Sequence, residues 1–390
     1  MKDSPFEYDE DILRGLSEFV GRARLKAMLR ALTEPGRRYY VRVNTLLASP
    51  GEVMDRLRDR GVEVFEDEVV EEALYFPIKG PYKVPLAGKV VVADKYAAES
   101  VLQGSNLYAP GVLKAEGVRK GDEVNVVSPN GIVVGYGIAE MDGREMLLKG
   151  KGLAVRVLIS KYKVPKVREL SEFEEGLLYD QSLPAMVTSL VLEPRRNEVV
   201  VDMCSAPGGK ATHVVQLTQG KAKVYAFDSS SKRIGKMLEE LRRLRMESLI
   251  KVIKADSRYL DLDYPSLKAD KVILDPPCSS IGVRPKVYDR KTVKDVKALA
   301  AYQIQFLKVA RSILRKGGTL VYSTCTITLE ENEAVIKYAV ERLGFEVAEQ
   351  VLYLGERGLP YLGGYEELQR FFPDRHEGPG YFIAKLIKRS

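Results

Sequence analysis

The chain predicts an α/β protein in which a Rossmann-like, doubly wound parallel sheet follows a small N-terminal α/β module and an inserted β-rich pseudobarrel. Three observations carry this expectation. From about residue 164 onward, strand-like and helix-like stretches alternate, the pattern of a parallel sheet covered on both faces. Between 88 and about 163, short valine-rich runs are separated by Gly, Pro and Asn, which argues for a small barrel. Residues 1–87 instead combine helical periodicity with a strand and a capped helix. These ranges (1–87, 88–163 and 164–390) are the expected domains, and 390 residues are ample for them.

The first range opens with Ile12, Leu13, Leu16, Phe19 and Val20 at helical spacing, followed by the strand YYVRVNTL. Next, SPGEVMDRLRDRG reads as a helix with Ser49 as N-cap and Gly61 as its stop. In the second range the strands are KVVVAD, DEVNVV, GIVVGYGIAEM and LAVRVLI. The stretch KYKVPKVRE that follows reads as a solvated linker.

In the third range the strands are EVVVDM, KVYAFD, IKVIKAD, KVILD and TLVYST. Between them KRIGKMLEELRRLRM places Ile234, Leu238, Leu241 and Arg245 at helical spacing, with a basic outer face. A second helix, VKALAAYQIQFLKVARSIL, is expected to bury Leu299, Gln303, Phe306, Ala310 and Ile313 and to stop at Gly317-Gly318. Thr328 and Glu331 have the spacing of a capping box and predict a helix from there to about Arg342.

Composition narrows the function. No stretch approaches the apolar length of a membrane span, and the acidic opening MKDSPFEYDEDIL is unlike a secretory signal. Three cysteines cannot all pair, so free thiols and a reducing cytoplasm are expected. With two histidines, His213 and His376, and scattered cysteines, no metal-ligand cluster exists in the sequence. A thiol hydrolase would need a histidine partner and a redox protein a CxxC, and the sequence offers neither. The net charge of +7 permits a polyanionic partner without requiring one. His213 reads as a structural helical histidine, and His376, in a turn before the last strand, is given no role.

The functional residues fall just past the strands, where open α/β sheets bind ligands. After the first comes CSAPGGK, residues Cys204, Ser205, Ala206, Pro207, Gly208, Gly209 and Lys210. Its glycines let backbone N–H groups approach a ligand where a helix begins. After the second stands Asp228, twenty residues beyond Gly208 and close to the ribose-binding spacing of such folds, with Arg233 five residues further on. Asp256 follows the third strand and Asp275 the fourth. A lone aspartate after a strand is more often a turn or cap residue, but four sites in series point to a ligand edge. The loop lacks the glycine-rich length that wraps a pyrophosphate, so S-adenosylmethionine fits better than a dinucleotide. Cys204 reads as packing behind this loop.

Two further cysteines sit in almost parallel settings, Cys278 in DPPCSSIG and Cys325 in YSTCTITLEENE. With DMCSAPGGK, these segments resemble the Sun/Nop-type RNA cytosine-C5 methyltransferases. YDQSLPAMVTSLVLEP looks like the entry segment of that family and VRVNTL like part of its RNA-binding subdomain. The resemblance implies that Cys325 attacks C6 of a cytosine, that Cys278 assists release, that Asp275 holds the base edge and that Lys210 lies beside it. The chemistry accounts for these types: C5 of cytosine becomes nucleophilic only once a thiolate has added to C6. DNA cytosine methyltransferases attack with a PC-motif cysteine, so Cys278 stays open as the alternative nucleophile. If the fourth and fifth strands are neighbours, the two thiols converge.

Within the insert, GKVVVADKYAAESVLQGSNLYAPGV, RKGDEVNVV and VVGYGIAEM resemble a PUA domain, an RNA-binding pseudobarrel, with an RNA-contacting loop and helix expected over 104–111. This insert is similar to that of one subgroup, which implies tRNA as partner, gripped at its acceptor stem and CCA end; a monomer without membrane or metal partner is expected. An rRNA cytosine methyltransferase and a non-catalytic RNA-binding or ribosome-assembly protein are the alternatives; the intact cysteine and glycine motifs favour an enzyme.

Overall fold

The structure, a computed structural model, describes residues 5–389, so the first four residues of the acidic opening and the last residue lie outside it. Nine strands form the large sheet: β1 Val199–Asp202, β2 Lys223–Asp228, β3 Ile250–Lys254, β4 Ala269–Leu274, β5 Leu314–Thr324, β6 Phe345–Val347, β7 Glu356–Arg357, β8 Gln369–Phe371 and β9 Tyr381–Lys388. Their order is β3-β2-β1-β4-β5-β9-β8-β7, with β6 pairing β9 at its side. The first five are mutually parallel, and β9 runs antiparallel against β5. Strand alternation divides the core into two layers. Val200, Val224, Ile273 and Val321 face the helices Leu183–Leu192 and Gly209–Leu217, whereas Val201, Phe227, Val272 and Leu320 face the helices Val293–Ile313 and Glu333–Leu343. The sheet is therefore doubly wound, as its alternating sequence predicts.

Local expectations in three helices are corrected. The helix Val293–Ile313 ends before Gly317-Gly318, and β5 starts at once. The glycines instead lie inside an irregularity where Ala269 pairs with Leu314 but Lys271 with Thr319, with Gly317 at φ +74°. Within this helix Leu299 is only half-buried, and Val296 and Leu307 join the buried face. The last helix begins at Glu333, not after Thr328, because Glu331 turns inward to hold the cysteine loops. In the helix Ser231–Arg243 the buried residues are Met237 and Leu241; Leu238 is exposed, and Arg245 lies beyond the end at φ +59°.

The N-terminal strand Arg38–Val43 lies between Ala73–Pro77 and Leu178–Asp180 in a four-stranded sheet. Its neighbouring helix, Pro50–Asp59, has the full capping box of Ser49 and Glu52. Six strands make the insert: Lys89–Ala93, Leu107–Tyr108, Val112–Lys114, Glu123–Val127, Val133–Ala139 and Leu153–Ser160. They close on a core that includes Val91, Val101, Val124, Val126 and Val155. The segment 104–111 is a loop, a two-residue strand and a single 3-10 turn; the helix of this region, Lys95–Leu102, precedes it. Among the described residues, no helix is long and apolar enough to cross a membrane.

Candidate active site

Strands β4 and β5 are parallel neighbours, with Leu274 opposite Tyr322, so the loops that leave their carboxyl ends run side by side. Cys278 Sγ and Cys325 Sγ consequently face each other at 3.4 Å, both half-buried. Ser280 Oγ lies 3.8 Å from the first sulfur and 3.5 Å from the second. The two loops are locked together from behind. Buried Glu331 accepts from Ser279 N at 2.8 Å, Gln303 Nε2 at 3.0 Å and Thr328 Oγ1 at 2.8 Å, and Ser279 Oγ meets Thr326 Oγ1 at 2.7 Å.

The two thiols are electrostatically unlike. The hydrogen bond from Cys278, together with Ser280 and the Lys210 charge, lowers the Cys325 pKa below the usual thiol value against the opposing effects of burial and Asp275. The same contact with Cys325, then burial, pushes Cys278 well above it. Of the two, Cys325 is thus the more readily ionised thiol. Lys210 forms an ion pair with Asp275 and stands 5.8 Å from the centre of the Tyr381 ring. Burial works against its charge, but Asp275 and Tyr381 more than offset this and raise its pKa well above that of an ordinary lysine.

Beside this centre lies a cavity of about 210 Å³, lined by Tyr179–Ser182, Asp202, Cys204–Pro207, Gly209, Lys210 and Asp275. Gly208, at φ +105°, caps the helix Gly209–Leu217 and donates its N–H to Ser205 O at 2.7 Å. Asp228 is buried and accepts from Ala206 N at 3.3 Å and Ser230 N at 2.8 Å, with Arg233 3.0 Å away. These residues fit S-adenosylmethionine. Asp202 Oδ1 and Ser205 Oγ are buried and make no hydrogen bond of good geometry, so a ligand donor or acceptor has room to satisfy them. Asp202 is also raised to about 7 by burial.

The structure brings together Cys278, Cys325, Asp275 and Lys210, and sets Cys204 through Gly209 and Asp228 along the same rim. Asp256 stands apart from that lining: it caps the turn Ser257–Tyr259 and pairs with Arg258 at 2.5 Å. Burial raises the Cys204 thiol well above its usual value, in keeping with a packing role. His213 is fully buried against Glu72 and is held neutral near 4, chiefly by burial. His376 closes a turn by accepting from Phe372 N at 2.9 Å.

Tyr179–Ser182, Asp202 and Arg42 lie in segments that carry the family resemblance, but sequence reasoning gave none of them a role of its own. Buried Arg42, from the N-terminal sheet, donates to Gln181 Oε1, to Gly209 O at 2.7 Å and to Thr212 Oγ1 at 2.7 Å, bracing the glycine turn from behind. Burial lowers its pKa to about 10, so it still carries charge. The available signal was a charged residue flanked by Val41 and Val43 in an apolar strand, both of which the fold buries.

A parallel sheet that ends in a glycine turn, a ligand cavity and two facing thiols defines a Rossmann-like methyltransferase with a cysteine centre. Residues 189–387 match the family described as 16S rRNA methyltransferase RsmB/F, and residues 89–159 match the PUA domain. The chain belongs to the RsmB/F family, the Sun/Nop family of the sequence reading. It is 44% identical to the tRNA (cytosine(72)-C(5))-methyltransferase of Pyrococcus horikoshii, with 98% of this chain and 97% of that one covered. It is 30% identical to the tRNA (cytosine(72)-C(5))-methyltransferase NSUN6 of Mus musculus, covering 94% and 85%. The crystal structure of NSun6 from Pyrococcus horikoshii with SFG superposes with a TM-score of 0.90 at 42% identity, covering 98% and 99%.

Proposed function

We propose that the protein is a tRNA cytosine-C5 methyltransferase that uses S-adenosylmethionine and works through a covalent bond between Cys325 and C6 of the base. The observation that supports the roles is the 3.4 Å contact between the two sulfurs, which lowers the pKa of Cys325 and raises that of Cys278. Full-length relatives named as tRNA cytosine methyltransferases support the substrate, and the SFG in the related structure, an analogue of S-adenosylmethionine, supports the cofactor.

In this reading Cys204–Gly209, Asp202, Asp228 and Arg233 hold the cofactor, with Asp256 at the outer edge. When bound, it supplies an electrophilic methyl sulfonium. Asp275 and Lys210 hold the N3 and N4 edge of a cytosine turned out of its stack. Cys325 adds to C6, which gives C5 the electron density that accepts the methyl group. A base then takes the C5 proton, the C–H electron pair re-forms the C5–C6 double bond, and the C6–S bond breaks to return the Cys325 thiolate, with Cys278 assisting this release. The PUA domain over 88–163 grips the acceptor stem and CCA end, the N-terminal module over 1–87 supports the RNA, and 164–390 performs the transfer. The protein acts as a monomer in the cytoplasm, where reduced thiols persist, and needs no metal.

The test incubates the protein with labelled S-adenosylmethionine and total tRNA, with 16S rRNA in parallel, and maps 5-methylcytosine after nuclease digestion. Cys325→Ala abolishes the protein–RNA adduct, whereas Cys278→Ala traps it. An adduct that persists without Cys325 and vanishes without Cys278 reverses the two roles, and methylation of rRNA alone overturns the substrate.

A further inference from the structure

Between the cysteine loop and the PUA domain lies a buried charge cluster that the proposed chemistry does not use. Ser280, the residue nearest both sulfurs, holds a left-handed backbone at φ +56°, a conformation that persists in a non-glycine residue only when its surroundings fix it. Its carbonyl accepts from Lys286 Nζ at 2.7 Å. Lys286 is only 4% exposed, and the same ammonium donates to Asp289 Oδ2 at 2.7 Å. A buried lysine is costly unless paired, so the site exists to hold this group in place.

Asp289 gathers three parts of the chain. Besides Lys286, it accepts from Tyr8 OH of the short strand Phe6–Tyr8 at 3.0 Å and from Lys95 Nζ of the PUA helix at 3.0 Å. The segment between is fastened on both sides: Lys286 N donates to Leu32 O at 2.7 Å, Val287 N to Glu99 Oε1 at 3.3 Å, and Asn130 Nδ2 to Val287 O at 3.1 Å. Lys95 adjoins Tyr96, which is 75% exposed on the PUA surface. A continuous chain of contacts therefore runs from that surface through Lys95, Asp289 and Lys286 to Ser280 and the two sulfurs.

We propose that Lys286 is a positioning residue for methyl transfer: it sets Ser280 against the two thiols, and Asp289 and Lys95 tie that setting to the seating of the PUA domain. This rests on the reading of Cys278 and Cys325 as the reacting pair. Ser280 held in place keeps a hydroxyl beside the Cys325 sulfur; Ser280 released loses it. The role is transmitted, since Lys286 touches neither sulfur nor base in this arrangement.

The test uses the full chain and two readouts: the rate at which iodoacetamide alkylates Cys325 without RNA, resolved by peptide mass spectrometry, and kcat and KM for tRNA. Lys286→Met slows alkylation and kcat each by roughly tenfold, the equivalent of one lost charge-assisted hydrogen bond, and leaves KM unchanged. Lys286→Arg restores most of both, and Lys95→Met lowers both by about threefold. Combining Lys286→Met with Ser280→Ala costs no more than Ser280→Ala alone, because both act through one hydroxyl. A folded Lys286→Met protein with wild-type alkylation overturns the proposal, as does full additivity with Ser280→Ala. Should Lys286→Met fail to fold, wild-type alkylation in Lys95→Met overturns the coupling instead. A wild-type protein that methylates no tRNA refutes the proposed function, while alkylation still judges Lys286.

Discussion

Replacing Arg42 with Met tests whether the N-terminal sheet shapes the cofactor turn. The substitution keeps the apolar stem and removes hydrogen bonds to Gln181, to the Gly209 carbonyl and to Thr212. Hydrogen bonds from a charged donor contribute roughly 1.5–3 kcal/mol each. Removing the buried charge also relieves its desolvation cost, so the net loss is set at about 3 kcal/mol, the low end for breaking a buried charged network. At roughly 2 °C per kcal/mol for a long chain, the melting temperature falls by about 6 °C. Because one lost partner is the Gly209 carbonyl in the turn itself, S-adenosylmethionine also binds about tenfold more weakly. Denaturant melts give the first quantity and isothermal titration the second. Arg42→Lys recovers only part of each, since one ammonium cannot reproduce the guanidinium fork. A protein that loses stability but binds the cofactor as before would refute the link to the turn, and one that changes in neither respect would refute the bracing role altogether.

Two further outcomes follow from the geometry. Gly208→Ala places a Cβ 3.1 Å from Met237 Cγ at a backbone angle of φ +105°, and weakens cofactor binding by roughly tenfold in the same titration. Burial raises Glu99, at the contact with the segment after the cysteine loop, to about 7, against the opposing Lys95 charge. The folded state then holds a proton that the unfolded state has released, so stability falls as pH rises from about 4.5 to about 7. Glu99→Gln abolishes that fall, raising stability by about 1 kcal/mol near pH 8 after allowance for solvent and leaving it unchanged near pH 4. Equal effects at both pH values would exclude the carboxyl as the cause.

Where structure follows from local pattern, the sequence was sufficient. The five parallel strands were legible because each is an apolar run and four of them end in an aspartate, and Ser49 because its partner Glu52 lies three residues away. The same rule failed at Thr328 and Glu331, whose spacing is that of a cap. Glu331 accepts from the Thr328 hydroxyl rather than from its backbone N–H, and spends its remaining capacity on Ser279 and Gln303, which are distant in sequence. Asp256 looked equivalent to Asp228, yet Arg258 two residues on claims its carboxylate. Arg42, Tyr179 and Gln181 escaped notice because their importance arises only when separate segments meet over the glycine turn. Cys278 and Cys325 were legible as a pair through the family resemblance, with independent support from the expectation that their strands are adjacent, which the sheet bears out.

The gap between the sulfurs is dictated by main-chain pairing: Leu274 sits opposite Tyr322, four residues before one cysteine and three before the other. One step along a strand is about 3.3 Å, as long as the gap itself. Lineages descended from this chain are thus free to lengthen or shorten the connection ahead of β4, whereas a single-codon deletion between that strand and its thiol would part the pair. Insertions and deletions, more than substitutions, should be what natural variation avoids there.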